Sequence, residues 1–203
     1  VQRIGKALML PIAVLPAAAL LLRLGAGDVL DISFVEAAGS AIFSNLALLF
    51  GIGVAIGISF DGSGASGLAG AVGYFVITEG TQAINEYINM GVLAGIIAGV
   101  VAGALYNRFH DIDLPDYLGF FAGKRFVPIV TGATCVLLAG IFGYAWPPIQ
   151  AAIEAVGSWI IGAGALGVFV YGVLNRALIP LGLHHVMNSF IWFVFGEYTN
   201  KAG

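Results

Sequence analysis

Apolar residues in this chain cluster in long runs separated by short polar segments. A membrane-crossing helix needs roughly 17–25 mostly apolar residues. The pattern predicts spans at Ala7–Leu24, Ala41–Ser59, Met90–Tyr106, Phe126–Trp146, Trp159–Leu174 and Ala177–Phe195. Leu68–Ile77 is shorter and reaches spanning length only together with the Gly- and Ser-rich residues before it. Asn107–Phe126 is the one long polar connection. Its Phe109, Leu114, Leu118 and Phe121 could share the face of an interfacial amphipathic piece, and a solvated loop is the equal alternative. The predicted fold class is all-α, a polytopic transmembrane helical protein.

Composition supports that class. Of 203 residues, 60% are hydrophobic and 9% charged, against about 25% charged in soluble domains. Thirty glycines suit membrane helices, where Gly is commoner than in soluble ones. A formal charge of −3 without a basic run argues against nucleic acid. The single cysteine, Cys135, lies in an apolar run and excludes a disulfide framework or a thiolate metal site. The start at Val1 and the end soon after an apolar run read as a piece of something longer.

Loop charges set an orientation. Arg3 and Lys6 precede the first span, and Arg108, Lys124 and Arg125 flank the long polar connection. The segments around Asp28, Asp31, Glu36, Glu79, Glu86 and Glu154 hold only Arg23 as a cation. If Leu68–Ile77 crosses, the basic groups share one side, and the positive-inside rule makes that side, with the N-terminus, cytoplasmic.

Polar chemistry concentrates in Asn175–Asn188, which reads Asn-Arg-Ala-Leu-Ile-Pro-Leu-Gly-Leu-His-His-Val-Met-Asn. Ionisable residues at membrane depth are costly and mark functional sites. Pro180 and Gly182 interrupt a plain helix there, and irregular backbone in lipid survives only around a cavity. Arg176, Pro180, His184 and Asn188 recur every fourth residue, along one drifting helical face. Guanidinium and imidazole both donate to hydroxyls, and imidazole also takes a proton near neutral pH. The alternatives are a snorkelling topogenic Arg176 and a hydrogen-bonded interior pair of His184 and His185. A metal site is not expected: adjacent histidines point about 100° apart on a helix, and no carboxylate or Cys lies at ligand spacing.

Other polar groups carry weaker signals. Glu79 and Glu86 flank Thr78–Asn89 as an acid–base pair or, better, as water-facing residues. Asp61 in Phe60-Asp-Gly-Ser-Gly reads as a turn residue. Gly62–Gly73 lacks the Gly-Lys-Ser/Thr ending of a phosphate loop, so its small residues read as a close-packing face. No Gly-x-Ser-x-Gly elbow supports a hydrolase. A short internal echo links Gly103-Ala-Leu-Tyr-Asn-Arg with Gly172-Val-Leu-Asn-Arg.

Four strings point to a family. Phe121-Ala-Gly-Lys-Arg-Phe-Val-Pro-Ile, Tyr144-Ala-Trp-Pro-Pro-Ile-Gln, Leu178-Ile-Pro-Leu-Gly-Leu-His-His and Gly196-Glu-Tyr-Thr-Asn resemble the membrane (IIC) domain of bacterial phosphotransferase-system sugar transporters, glucose/N-acetylglucosamine branch. Ile88-Asn-Met-Gly-Val-Leu-Ala-Gly-Ile-Ile-Ala-Gly and Asn175-Arg-Ala-Leu-Ile-Pro look more like the N-acetylglucosamine members. His185 instead matches the glucose members, since N-acetylglucosamine members often carry Gln there.

The resemblance implies a homodimeric inner-membrane permease that takes up N-acetylglucosamine, or alternatively glucose, and has it phosphorylated at the 6-hydroxyl. It implies residues 1–148 as scaffold and dimerisation helices and 149–203 as the start of an elevator-like transport domain. Arg176, His184, His185 and Asn188 are the substrate-binding candidates, with His184 catalytic, beside the hydroxyl that is phosphorylated. No cofactor is implied. The phosphoryl donor is a IIB partner domain with a reactive Cys, fed by IIA and HPr. The family's Gly-Ile-Thr-Glu motif is absent from these 203 residues, which would hold the scaffold and part of the sugar site. As an isolated fragment, the chain could serve only for dimerisation or docking, without transport.

Overall fold

Prolines and polar side chains cut the long apolar runs into more helices than hydropathy alone separates. The computed structural model describes residues 2–178, and no strand occurs among them. The first span is two helices, α1 (Gln2–Ile12) and α2 (Leu15–Gly25), which contain Pro11 and an early Pro16 respectively. Proline lacks the N–H that would continue the ladder, so the break follows from sequence. The apolar window Ala7–Gly25 nevertheless has spanning length, as predicted.

α3 (Ser33–Ser44) and α4 (Leu46–Ile58) correct the predicted Ala41–Ser59 span. They meet at a 56° bend around Asn45, whose amide nitrogen donates to the Ala41 carbonyl at 2.9 Å. Most of α3 lies in the segment read as an acidic connection. A tight turn joins α2 to α3: Asp31 takes a φ of +52°, and Arg23 grips Asp28 through two bonds of 2.7 and 2.8 Å.

The short run Leu68–Ile77 belongs to a full 21-residue helix, α5 (Gly64–Ile84). Ser63 caps it by accepting from the Ala65 N–H at 3.3 Å. At 1.5 Å per residue it is about 31 Å long. Its polar residues hid it from a hydropathy reading, and they are tolerated because α4, α6 and α7 all pack against it.

α6 (Val92–Phe109) opens after Gly91, at a φ of +50° that suits glycine. The long polar connection then folds into two 3₁₀ turns, Asp116–Phe121 and Gly123–Arg125. Tyr117 and Phe120 project outward from the first, exposed by 82% and 72%.

α7 (Phe126–Gly162) runs 37 residues, through Pro147 and Pro148 and past the predicted end at Trp146. The expected division between 148 and 149 therefore falls inside one helix. The predicted span Trp159–Leu174 does not exist as a single helix: a turn at Gly164 (φ +55°) separates α7 from α8 (Ala165–Leu178). The predicted span Ala177–Phe195 lies, beyond its first two residues, outside the described residues.

Close packing rests on small residues. A Cβ on Gly95 would strike the Ala47 carbonyl, and one on Gly70 the Gly51 carbonyl. These contacts place α4 tightly between α5 and α6, which is how helices associate where lipid removes the hydrophobic drive between them. Within Gly62–Gly73, Gly67, Gly70 and Gly73 pack closely as composition predicted, while Gly62 and Gly64 face open space. Around this seam lie Phe50, Val54, Ala69, Ala98 and Ala102, all buried. Outward faces are apolar too: Phe75, Val136, Leu137 and Ile141 are each more than half exposed. Such faces are costly in water and suit hydrocarbon.

Candidate functional site

The predicted polar stretch begins at the very end of the described fold. Arg176 sits in the last turn of α8 and is exposed on this chain. A cation there complements the partial negative charge of the helix C-terminus. His184, His185 and Asn188 lie outside the described residues, as do Pro180 and Gly182. Of the four predicted site residues, the structure places one. Glu79, on α5, and Glu86, in the turn after it, are both exposed, as water-facing residues would be. Among the described residues no group of three His, Cys, Asp or Glu could hold a metal ion.

A second polar centre, which sequence reasoning took for a turn residue and a topogenic charge, ties three helix ends together. Asp61 Oδ2 accepts from the Tyr106 hydroxyl at 2.7 Å and from Lys124 Nζ at 2.9 Å. Its Oδ1 accepts from the Ser63 N–H at 3.2 Å. The Tyr106 hydroxyl bond, followed by Lys124, holds the Asp61 carboxyl below its ordinary range, against the opposing effect of burial. Lys124 also lies 5.7 Å from the centre of the Tyr106 ring. Next to them, Asn107 donates to the Ile58 carbonyl at 3.0 Å and accepts from the Phe60 N–H at 2.9 Å. It thereby satisfies the orphan end of α4. Phe60, Tyr106 and His110 stack over the junction, with ring centroids 4.7 to 6.0 Å apart.

The signal was present in the sequence as Gly123-Lys-Arg beside Phe60-Asp-Gly. What was missing was that the α4–α5 turn and the start of α7 lie at the same end. That end also holds α1's beginning, since Ala7 packs against Gly57. Arg108, Lys124 and Arg125 thus belong to one end of the bundle, together with Asp61, Asp111, Asp113 and Asp116, and Asp28, Asp31 and Glu86 to the other.

At the acidic end, Gln150 closes a second tie. Its side-chain oxygen accepts from the Asn89 N–H at 3.1 Å, and its nitrogen donates to the Tyr87 carbonyl at 3.2 Å. It thereby holds the α5–α6 loop against α7, two residues beyond Pro148. The string Tyr144-Ala-Trp-Pro-Pro-Ile-Gln ends on the residue that makes this clamp.

Comparison with known proteins gives a consistent picture. The family model described as "Phosphotransferase system, EIIC" matches residues 5–203. The "PTS system N-acetylglucosamine-specific EIICBA component" of Escherichia coli (strain K12) is 63% identical over 202 residues, covering 100% of this chain and 31% of that protein. The "PTS system N-acetylglucosamine-specific EIICB component" of Bacillus subtilis (strain 168) is 54% identical over 202 residues, 100% of this chain and 45% of that protein. The "PTS system glucosamine-specific EIICBA component" of the same strain is 44% identical over 217 residues, 99% of this chain and 34% of that protein. The chain therefore spans less than half the length of these relatives.

Proposed function

The chain belongs to the phosphotransferase-system EIIC family, and on that premise we propose that it is part of a permease that takes up N-acetylglucosamine and delivers it for phosphorylation at the 6-hydroxyl. The carrying observation is the 63% identity that extends over the whole chain with an N-acetylglucosamine-specific component. Identity to the glucosamine-specific relative is lower, at 44%. Glucose is the alternative substrate, favoured only by the second histidine, His185.

Chemically, the transfer needs a hydroxyl made nucleophilic and a donor brought to it. Arg176 would hold sugar oxygens or offset charge on the transferring group, and His185 and Asn188 would supply further hydrogen bonds. His184 would take the 6-hydroxyl proton as that oxygen attacks phosphorus. The phosphorus–sulfur bond to the IIB cysteine then breaks, leaving a thiolate. The product is an anion that the apolar helices cannot leak back. The names of the relatives, EIICBA and EIICB, support a IIB partner and, for the first, IIA, with HPr as the protein that would feed them.

The permease lies in the bacterial inner membrane as a homodimer, with the N-terminus in the cytoplasm. Residues 1–148 act as scaffold, and 149–203 begin the moving transport domain. The cationic end supports this orientation by the positive-inside rule. The test is phosphorylation by membranes containing the complete transporter, supplied with its phosphoryl donors and labelled sugars. The reading expects N-acetylglucosamine 6-phosphate to form in preference to glucose 6-phosphate or glucosamine 6-phosphate. Preference for glucose would reassign the substrate, and no phosphorylated sugar would refute the coupling.

A further inference from the structure

A cavity of about 150 Å³ opens at the acidic end of the bundle, between the last two turns of α5 and the start of α6. It is walled by Tyr74, Thr78, Thr81, Gln82 and Asn89, with Gly91 at its edge. A space of this size takes a six-membered ring in other proteins. No Asp, Glu, Lys or Arg lines it. An ionic guest would lose its hydration there without compensation.

Part of the polar lining is not spent on the protein itself. Threonines on helices usually return their hydroxyl proton to a carbonyl one turn back. Thr81 does so, to the Ile77 carbonyl at 2.8 Å, and Thr134 does so, to the Val130 carbonyl at 2.8 Å. Thr78 and Thr131 do not: the hydroxyl oxygens of both are buried and have no hydrogen-bond partner among the described residues. A buried hydroxyl left unpaired is costly, and of the two only Thr78 lines this cavity, where a guest can supply the partner. Asn89 uses its side-chain oxygen on the Gly91 N–H at 2.9 Å, which leaves its amide hydrogens to donate. The Tyr74 ring adds an apolar wall. The loop carrying Asn89 is pinned by Gln150, so the cavity is framed before any guest arrives.

We propose that this cavity is a second binding site, for a neutral polyhydroxyl ligand of pyranose size, on the entry side of the transporter. It is separate from the Arg176–Asn188 stretch and receives sugar before translocation. The inference rests on the sugar-uptake reading and on the orientation that puts the acidic end outside.

The complete transporter tests it in right-side-out membrane vesicles loaded with phosphoryl donors, with N-acetylglucosamine as probe. Thr78→Val should raise the KM for external sugar about five- to tenfold, the size of one lost hydrogen bond to a neutral group, at unchanged kcat. In inverted vesicles, where sugar is offered from the cytoplasmic face, its KM should stay at the wild-type value. Thr78→Ser should restore the external KM. An unchanged external KM in Thr78→Val would overturn the site and leave only a water pocket, with the uptake reading intact. An equal rise from both faces would also overturn it, as a general structural defect. Wild-type vesicles that phosphorylate no sugar would refute the uptake reading itself, and the entry site with it.

Discussion

Lys124 Nζ lies 2.9 Å from Asp61 Oδ2, although the two residues are 63 positions apart in the chain. With the Tyr106 hydroxyl on the same oxygen, the pair joins the α4–α5 turn, the end of α6 and the start of α7. Tyr106 is fully buried while Lys124 is half exposed, so the three partners differ in weight. An exposed ion pair contributes little, whereas a buried hydroxyl that loses its acceptor is penalised.

Asp61→Ala should therefore lower the Tm of the complete transporter in detergent by more than Lys124→Ala does. The pH dependence follows from the depressed Asp61 pKa. A carboxyl whose folded pKa lies below its unfolded value binds fewer protons when folded. Its stabilisation is fully present above the ordinary carboxylate range, about pH 4, and is lost as pH falls through the depressed value. Asp61→Asn should flatten that acid-side loss, as read by Tm between neutral pH and pH 3. An acid limb identical to wild type would remove Asp61 from the account.

Gly95 and Gly140 should respond in opposite ways to the same substitution. A Cβ on Gly95 meets the Ala47 carbonyl, while one on Gly140 meets nothing within 4 Å. Gly95→Ala should destabilise by about 1–3 kcal/mol, the range for overpacking. Gly140→Ala should be neutral or stabilising by up to about 1 kcal/mol through helix propensity. Thermal unfolding of the two variants in detergent distinguishes them.

The two ends of the bundle should label from opposite sides of the membrane. In a Cys135→Ser background, a membrane-impermeant maleimide should reach Asp28→Cys in intact cells, and Gly119→Cys only after the cells are opened. Gly119 lies in the exposed 3₁₀ turn of the cationic end, with open space around it. Labelling of Gly119→Cys in intact cells would invert the proposed orientation.

Where a helix was both long and apolar, its place could be read from the sequence. Met90–Tyr106 corresponds to α6 within three residues at each end, and Phe126 starts α7 as predicted. Interior position defeated the same reading for α5: Thr78 and Thr81 look like a loop in a hydropathy profile, yet α4, α6 and α7 pack around the helix and shelter them from lipid. Asn45 broke a run that hydropathy saw as continuous, and α7 ran on through Pro147 and Pro148 beyond the span predicted to end at Trp146. Each outcome depends on tertiary contacts that no local window contains.

The candidate site divides in the same way. Arg176 was singled out because a cation among apolar residues stands out, whereas Asp61 was read only as a turn residue because Asp-Gly is also what an ordinary turn needs. Its function comes from Tyr106 and Lys124, which are distant in sequence. Gln150 was visible only as the last letter of a family string, and its clamp on Asn89 and Tyr87 gives that string a physical reason.

The proton-accepting role proposed for His184 is tested most directly by phosphoryl transfer. Membranes with the complete transporter carrying His184→Ala, given phosphorylated donor proteins and labelled N-acetylglucosamine, should form less sugar 6-phosphate by at least about two orders of magnitude, as expected for loss of a general base. Turnover at the wild-type rate in that variant would contradict the account.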